Sequence, residues 1–263
     1  MKKLSLFTPL GLLCLCQGVG AIDIPHIGYA RDPQGMVRPV DGVSGNFRIG
    51  DPVAADPSLA FEWNGVFGIR KIAASIEWWD ASATRLVTFD APSGGAVIGY
   101  DRSNFQTAWI YSATAHTLFQ VTPQSGMVPF SLRLSMDESV VAIAGSGKSV
   151  DIALRRGGSI LLATFDTASG SRTAETALNI PASSHLLLLQ DGSILGLSGS
   201  TVWLDRADGT RWSANAGPGL GELTWMGREW IQLSGPSRQS AIRIRTGSDP
   251  TLYTLPAQQA VIE

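Results

Sequence analysis

Cysteine is nearly absent from this chain: Cys14 and Cys16 are the only two, and both lie in its first twenty residues. Lysine is almost as scarce, limited to Lys2, Lys3, Lys71 and Lys148, and the histidines are His26, His116 and His185. An unbroken apolar run of about 20 residues, the length needed to cross a bilayer, is missing. Missing too are the H-x-H and H-E-x-x-H spacings and the G-x-S-x-G elbow. Each absence excludes something. So few lysines cannot form a basic stripe that neutralises phosphates, so neither nucleic acid nor an anionic membrane surface is expected as a partner. The histidines stand apart in sequence and read as structural or surface residues rather than metal ligands. No nucleophile sits in a recognisable setting. The expected sets of catalytic, cofactor-binding and metal-ligating residues are therefore empty.

What is present begins with an export signal. Met1-Lys2-Lys3 is a positive start, residues 4–21 are apolar but broken by Pro9 and Gly11, and Val19-Gly20-Ala21 suits a signal peptidase. The expectation is a cleavable signal over residues 1–21 and a periplasmic or secreted bacterial protein without a membrane span after cleavage. A lipid anchor would need a small residue before the cysteine, and Leu13 and Leu15 stand there instead. Residues 22–263 then contain no cysteine, which removes disulfides and thiolate chemistry. Losing Lys2 and Lys3 leaves 18 basic residues against 22 acidic ones, a net charge of −4. A chain of this length can stabilise itself by burying one apolar core.

Short apolar runs separated by turn residues every eight to twelve positions mark an all-β chain. A hairpin recurs: "LVTFDAPSGGAV" from Leu86, "LFQVTPQSGMVP" from Leu118, "LLATFDTASGSR" from Leu161 and "VWLDRADGTRW" from Val202. A degenerate copy, "IRIRTGSDPTLY", starts at Ile242. The turn positions are Gly94, Gly126, Gly170, Gly209 and Asp249, in steps of 32, 44, 39 and 40 residues. Asp90, Asp166 and Asp205 each precede the turn glycine by four residues, where a short acid can cap backbone amides while glycine takes the left-handed position.

The whole unit reads most clearly in "HLLLLQDGSILGLSGSTVWLDRADGTRWSA" from His185, as four strands of which the first two are almost wholly apolar. Four short strands every forty residues predict a β-propeller of about five to six four-stranded antiparallel blades. It would occupy residues 22–263, with an irregular N-terminal part over 22–67. Within that part, "IGYARDPQGMVRP" from Ile27 forms a further hairpin around Gly35, expected to complete a blade with strands from elsewhere in the chain. "GIRKIAASIEWWDAS" from Gly68 fits both helical and alternating periodicities, and the repeat context favours strand.

"AIAGSGKS", from Ala142 to Ser149, fits the permissive Walker A pattern. A phosphate cradle needs a helix directly after its lysine. "SVDIALRRGG" alternates instead and reaches Gly157-Gly158 within ten residues. Gly145, Gly147, Lys148 and Ser149 are therefore read as a hairpin turn and not as a nucleotide site.

"STVWLDRADGTRWSA" resembles the repeat of quinoprotein-type (PQQ-like) propellers, in which a strand ends in Leu-Asp, a turn supplies Gly and a Trp follows. "ILLATFDTASGSR" matches less well and lacks the Trp. Over residues 80–255 the chain is similar to exported bacterial propellers with degenerate PQQ-like or WD40-like repeats. For the quinoprotein enzymes the resemblance implies a quinone, a calcium ion and a base. This chain departs from them in its length, in lacking an adjacent cysteine pair and in keeping the Trp in one hairpin only, so no catalytic residue is carried over.

Eight tryptophans remain to be placed. Trp203 and Trp212 read as packing between blades. Trp78, Trp79, Trp225 and Trp230 are less regular and are the weak candidates for holding a ligand or partner. Trp78 and Trp79 are adjacent, so in a strand one of them should reach the surface. The expected function is a non-catalytic binding or scaffold module, monomeric, with a protein or carbohydrate partner. An enzyme acting on a carbohydrate through acids at the central channel is the alternative, and a quinone- or metal-binding propeller is a third reading.

Overall fold

The computed structural model describes residues 24–181 and 185–256; the expected signal over residues 1–21 lies outside them. Local sequence explains the repeating unit best around His185. There β16 (His185–Leu188), β17 (Ile194–Ser198), β18 (Thr201–Asp205) and β19 (Arg211–Asn215) pair in chain order, each antiparallel to the last. The Asp191 carboxylate caps the Ser193 amide in the first turn. Side chains on the first three strands are almost all buried, whereas those of β19 alternate between exposed and half-buried. Hydrophobicity thus falls outward from the first strand, as expected of a sheet whose last strand meets solvent.

Four other sheets repeat this meander. The first blade is β4 (Ala60–Trp63), β5 (Gly68–Ile72), β6 (Ser75–Trp79) and β7 (Arg85–Asp90). The second is β8 (Ala96–Tyr100), β9 (Ala108–Ser112), β10 (Thr117–Thr122) and β11 (Gly126–Phe130). The third is β12 (Glu138–Gly145), β13 (Ser149–Arg156), β14 (Ser159–Asp166) and β15 (Arg172–Leu178). After the fourth, described above, comes β20 (Glu222–Trp225), β21 (Trp230–Ser234), β22 (Gln239–Arg243) and β23 (Thr251–Thr254). The ambiguous stretch from Gly68 is strand, as the repeat context predicted.

The five innermost strands form a closed ring: β4 touches β8, β8 touches β12, β12 touches β16, β16 touches β20, and β20 returns to β4. Closeness is bought in places by missing side chains. A Cβ on Gly99 would stand 1.9 Å from the Ile143 carbonyl oxygen, so only glycine lets β8 lie this near β12. Each gap between blades holds its own apolar layer, such as Trp109, Tyr111 and Leu118 against Ile143, Ile152 and Phe165. At about 25 cal/mol per Å² of apolar surface these layers dominate the favourable side of folding.

A sixth, three-stranded sheet comes first in the chain: β1 (His26–Arg31), β2 (Val37–Val43) and β3 (Asn46–Ile49). It is wedged between the last blade and the first. Ala30 and Val40 pack on Met226, Trp230 and Ala241 on one side, while Tyr29 and Val37 pack on Phe61, Trp63 and Trp79 on the other. Among the described residues the Ile27 hairpin therefore does not complete a four-stranded blade with strands from elsewhere. It turns at Gly35 as expected, but pairs only with β3, and β1 stops short of the channel, where β20 meets β4 directly.

Two further expectations need correction. Gly94 is not the turn of an outer hairpin, because it lies between β7 and β8, in the connection from the first blade to the second. The equivalent turn joins β6 to β7, and there Ala83 takes the left-handed conformation at φ 55°. Of the three turn acids, Asp166 caps the amides of Ala168 and Ser169 as expected. Asp205 instead forms an ion pair with Arg211 across its hairpin, and Asp208 caps Thr210.

Candidate functional site

The ring of inner strands encloses a cavity of about 150 Å³. All these strands run the same way, so their first residues rim one mouth, among them Ala60, Ala96, His185 and Glu222. Trp225, at the end of β20, lines both this cavity and a much smaller pocket at the opposite mouth, which Asn64, Tyr100, Phe105 and Arg228 complete. Leu188 lines both as well, so Trp225 and Leu188 stand between the two.

Aliphatic side chains on the wall come from Ala96, Val97, Val141, Ile143 and Leu187, yet the surface open to the cavity is more polar than apolar. The titratable groups on it are Glu62, His185 and Glu222. Glu62 and Glu222 gather at the seam where β4 meets β20, the sector whose N-terminal sheet stops short. Glu222 accepts a 2.5 Å bond from the Arg31 guanidinium and a second from the Ser234 hydroxyl. The same guanidinium donates to the carbonyls of Ser58 and Leu59, each at 3.0 Å. Arg31 thus ties the last blade to the strand entering the first. Its backbone is held too, by the Gln232 and Gln239 side-chain amides.

Glu62 lies deeper and is 6 % exposed. Its Oε2 accepts the Trp225 backbone amide at 2.5 Å, which bridges β4 and β20. Burial, with the nearby Glu222 charge adding to it, pushes the Glu62 carboxyl well above the usual carboxylate range, against the smaller opposing pull of the Trp225 amide and Arg31. At the mouth, burial and the Arg155 charge lower the His185 imidazole, which favours its neutral form. Thr224 donates its hydroxyl toward the Gln232 amide oxygen, which is not a base that could take up its proton.

The sequence-predicted residues are distributed differently. Trp78 is fully buried between the first two blades, and Trp79 is 3 % exposed against Phe61 and the Arg70 guanidinium. Neither reaches the surface, because β6 has a covered face on both sides: the second blade on one, the N-terminal sheet on the other. Trp230 is buried beneath Phe47 and Tyr253 with Arg243 over its ring. Trp225 alone of the four lines the channel. Gly145, Gly147, Lys148 and Ser149 form the turn between β12 and β13, with Gly147 at φ 72° donating its amide to Asp101, and strand rather than helix follows.

A wider groove of about 410 Å³ runs along the seam between the N-terminal sheet and the last blade. Its charged groups largely satisfy each other, His26 with Asp41 and Glu229 with Arg243 and Arg245. Among the described residues no three of His, Cys, Asp and Glu come together as a metal-binding group. The channel also does not fit a fused three-ring quinone, since a cavity of this volume holds a molecule of roughly six carbons.

Fold and channel together define the class: the chain is a β-propeller. The solved structure of a streptogramin B lyase matches it with a TM-score of 0.50 at 13% identity, over 90% of this chain and 85% of that one. The β-propeller domain of Myceliophteria thermophila Cps50 (Swd1) gives 0.49 at 12% over 82% and 75%, and the Neurospora crassa Pan2 WD40 domain 0.49 at 8% over 89% and 80%. At these identities the likeness is one of fold alone. No protein-family model and no curated protein matches the sequence.

Proposed function

We propose that this propeller is an exported, non-catalytic binding module that takes a small ligand into its channel from the mouth beside His185 and Glu222. The observation that carries the reading is the cavity itself, walled by the inner strands, with aliphatic side chains beside a largely polar open surface and with Glu62 and Glu222 at one side. Small-molecule sites are concave and carry a few convergent polar groups that fix the ligand's orientation. Export rests on the residues of the N-terminal stretch, Lys2 and Lys3 before an apolar run ending in Val19-Gly20-Ala21.

Two channel carboxyls favour a second reading, acid-assisted hydrolysis of a glycoside, with Glu62 as the acid. Size weighs against it. A cavity that holds about six carbons admits one small ring and not the two sugars flanking a glycosidic bond.

The test is a screen of small polar compounds by ligand-observed NMR against the full chain and against Ala96→Phe, which fills the mouth. Saturable binding lost in Ala96→Phe, without turnover, is the expected result. Binding that survives the plug, or turnover of a glycoside that the plug abolishes, would overturn the proposal.

A further inference from the structure

We infer that the ligand of this channel is a small organic ammonium ion, held by Glu62 with its alkyl part against the aliphatic side chains of the wall; this rests on the channel being a binding site. Three features point there together. The first is charge. Two carboxyls, Glu62 and Glu222, face one guanidinium, Arg31, and that guanidinium is committed to Glu222 and to two carbonyls. One buried acid is therefore left without a paired cation.

The second is geometry. Among the described residues the only hydrogen bond to the Glu62 carboxyl comes from the Trp225 amide, to Oε2. Oε1 is left to whatever occupies the cavity that Glu62 lines. The third is shape. The volume, about 150 Å³, suits a molecule of roughly six non-hydrogen atoms. Ala60, Ala96, Val97, Val141 and Ile143 place aliphatic side chains around it, and the surface open to it is otherwise largely polar.

Binding is then linked to a proton. The groups facing Glu62 are Glu222 and Trp225 from β20, Arg31 from β1, Tyr100 from β8 and His185 from β16, while β12 presents aliphatic side chains. None of them supplies a free cation. Burial favours the neutral acid in the empty channel, and an ammonium ion reverses that preference, so the carboxyl gives up its proton as the cation enters.

The experiment is isothermal titration calorimetry of the full chain with n-butylammonium and with butan-1-ol, which match in non-hydrogen atoms and differ in charge. The expected result is saturable binding of the cation, at least tenfold tighter than the alcohol. Its heat should differ between phosphate and MOPS, a zwitterion larger than the cavity holds, because the released proton is taken up by the buffer. Glu62→Gln should remove the preference for the cation. Equal binding of the two probes, or buffer-independent heats, overturns the assignment. The buffer comparison needs only the natural chain, so it decides the matter even where Glu62→Gln fails to fold. A neutral compound that binds and is excluded by Ala96→Phe would leave the binding reading standing while removing the ammonium assignment. Binding by neither probe removes the assignment, and a channel that accepts nothing in the wider screen removes both.

Discussion

Arg31→Ala tests how the ring is closed. In the five sectors filled by full blades, neighbouring inner strands are backed by apolar layers. In the sixth, β1 stops short, and the Arg31 side chain spans the gap. It is 19 % exposed and makes three bonds: one to each of the Ser58 and Leu59 carbonyls and one to Glu222. A hydrogen bond from a charged donor contributes about 1.5–3 kcal/mol. The carbonyl bonds lie partly at the surface, so the lower end applies, about 1.5 kcal/mol each. Glu222 is 39 % exposed, and solvent screening holds that ion pair to at most about 1 kcal/mol. The sum is about 3–4 kcal/mol. For a domain of this size each kcal/mol moves Tm by roughly 2–4 °C, so the loss should be roughly 6–16 °C by circular dichroism. Arg31→Lys keeps the charge but not the fork and should fall between. A Tm for Arg31→Ala within about 2 °C of the natural chain would refute the clasp, and would mean that the apolar contacts of Ala30 and Val40 hold the wedge unaided.

Glu62 prefers its proton more in the folded chain than in the unfolded one, so its contribution is intact below the unfolded value and is lost as pH rises toward the raised folded one. Glu62→Gln should thus match the natural chain near pH 4 and exceed it in denaturant stability as pH rises; parallel stability–pH curves would contradict this. Glu77, Glu138 and Asp101 behave oppositely. Burial raises each carboxyl, but bonds from Arg85 and Arg70, from Arg172, and from Ser103 and Gly147 outweigh it and hold all three below the usual range. Their stabilisation should be present above about pH 4 and fade as pH falls below it, seen as acid unfolding that Glu138→Gln moderates. Gly99→Ala drives a methyl into the Ile143 carbonyl and should cost about 3 kcal/mol or more in chemical denaturation; a loss below about 1 kcal/mol would show that β8 can shift freely. Ala83→Gly relieves an alanine held at φ 55° and should raise stability by up to about 1 kcal/mol, where any loss beyond experimental error would contradict the strain.

Blades two to five could be read from the sequence because their turn chemistry is local. Gly126, Gly170 and Gly209 occupy the left-handed position of the outer hairpin, and Gly247 stands two residues before the expected Asp249. The first blade was displaced by the same logic. Its hairpin uses Ala83, so a search for glycine passed over it and settled on Gly94 in the next connection. From 83 to 126 the step is 43 residues, in line with the 44, 39 and 40 that follow, whereas 32 was the irregular one. The burial of both Trp78 and Trp79 was not legible for a different reason. One strand cannot reveal that a separate sheet covers its second face, and here the covering sheet is the N-terminal wedge, which directly precedes the blade in the chain but shares no strand pairing with it.

The channel acids carried a signal that periodicity did not weigh. Glu62 and Glu222 stand 160 residues apart, each a single acid in an otherwise apolar short strand, "AFEW" and "ELTW". Two other inner strands, "AVIGY" and "HLLL", have no acid, and β12 opens on Glu138, which Arg172 and Arg156 of its own blade pair. A buried acid in an inner strand is costly unless something satisfies it, and Glu62 and Glu222 differ from Glu138 in drawing partners from another sheet. Among the described residues that other sheet is met at the sector where β20 reaches β4 directly. Arg31 answers Glu222, the Trp225 amide answers one oxygen of Glu62, and no hydrogen bond among the described residues answers the other. Closure and binding thus draw on the same carboxyls, and the two roles separate by depth: Glu222, at the rim, answers to the clasp, and Glu62, farther in, answers to the ligand. Arg31→Ala should therefore lower stability while sparing the preference for a cation, and Glu62→Gln should erase that preference without loosening the clasp.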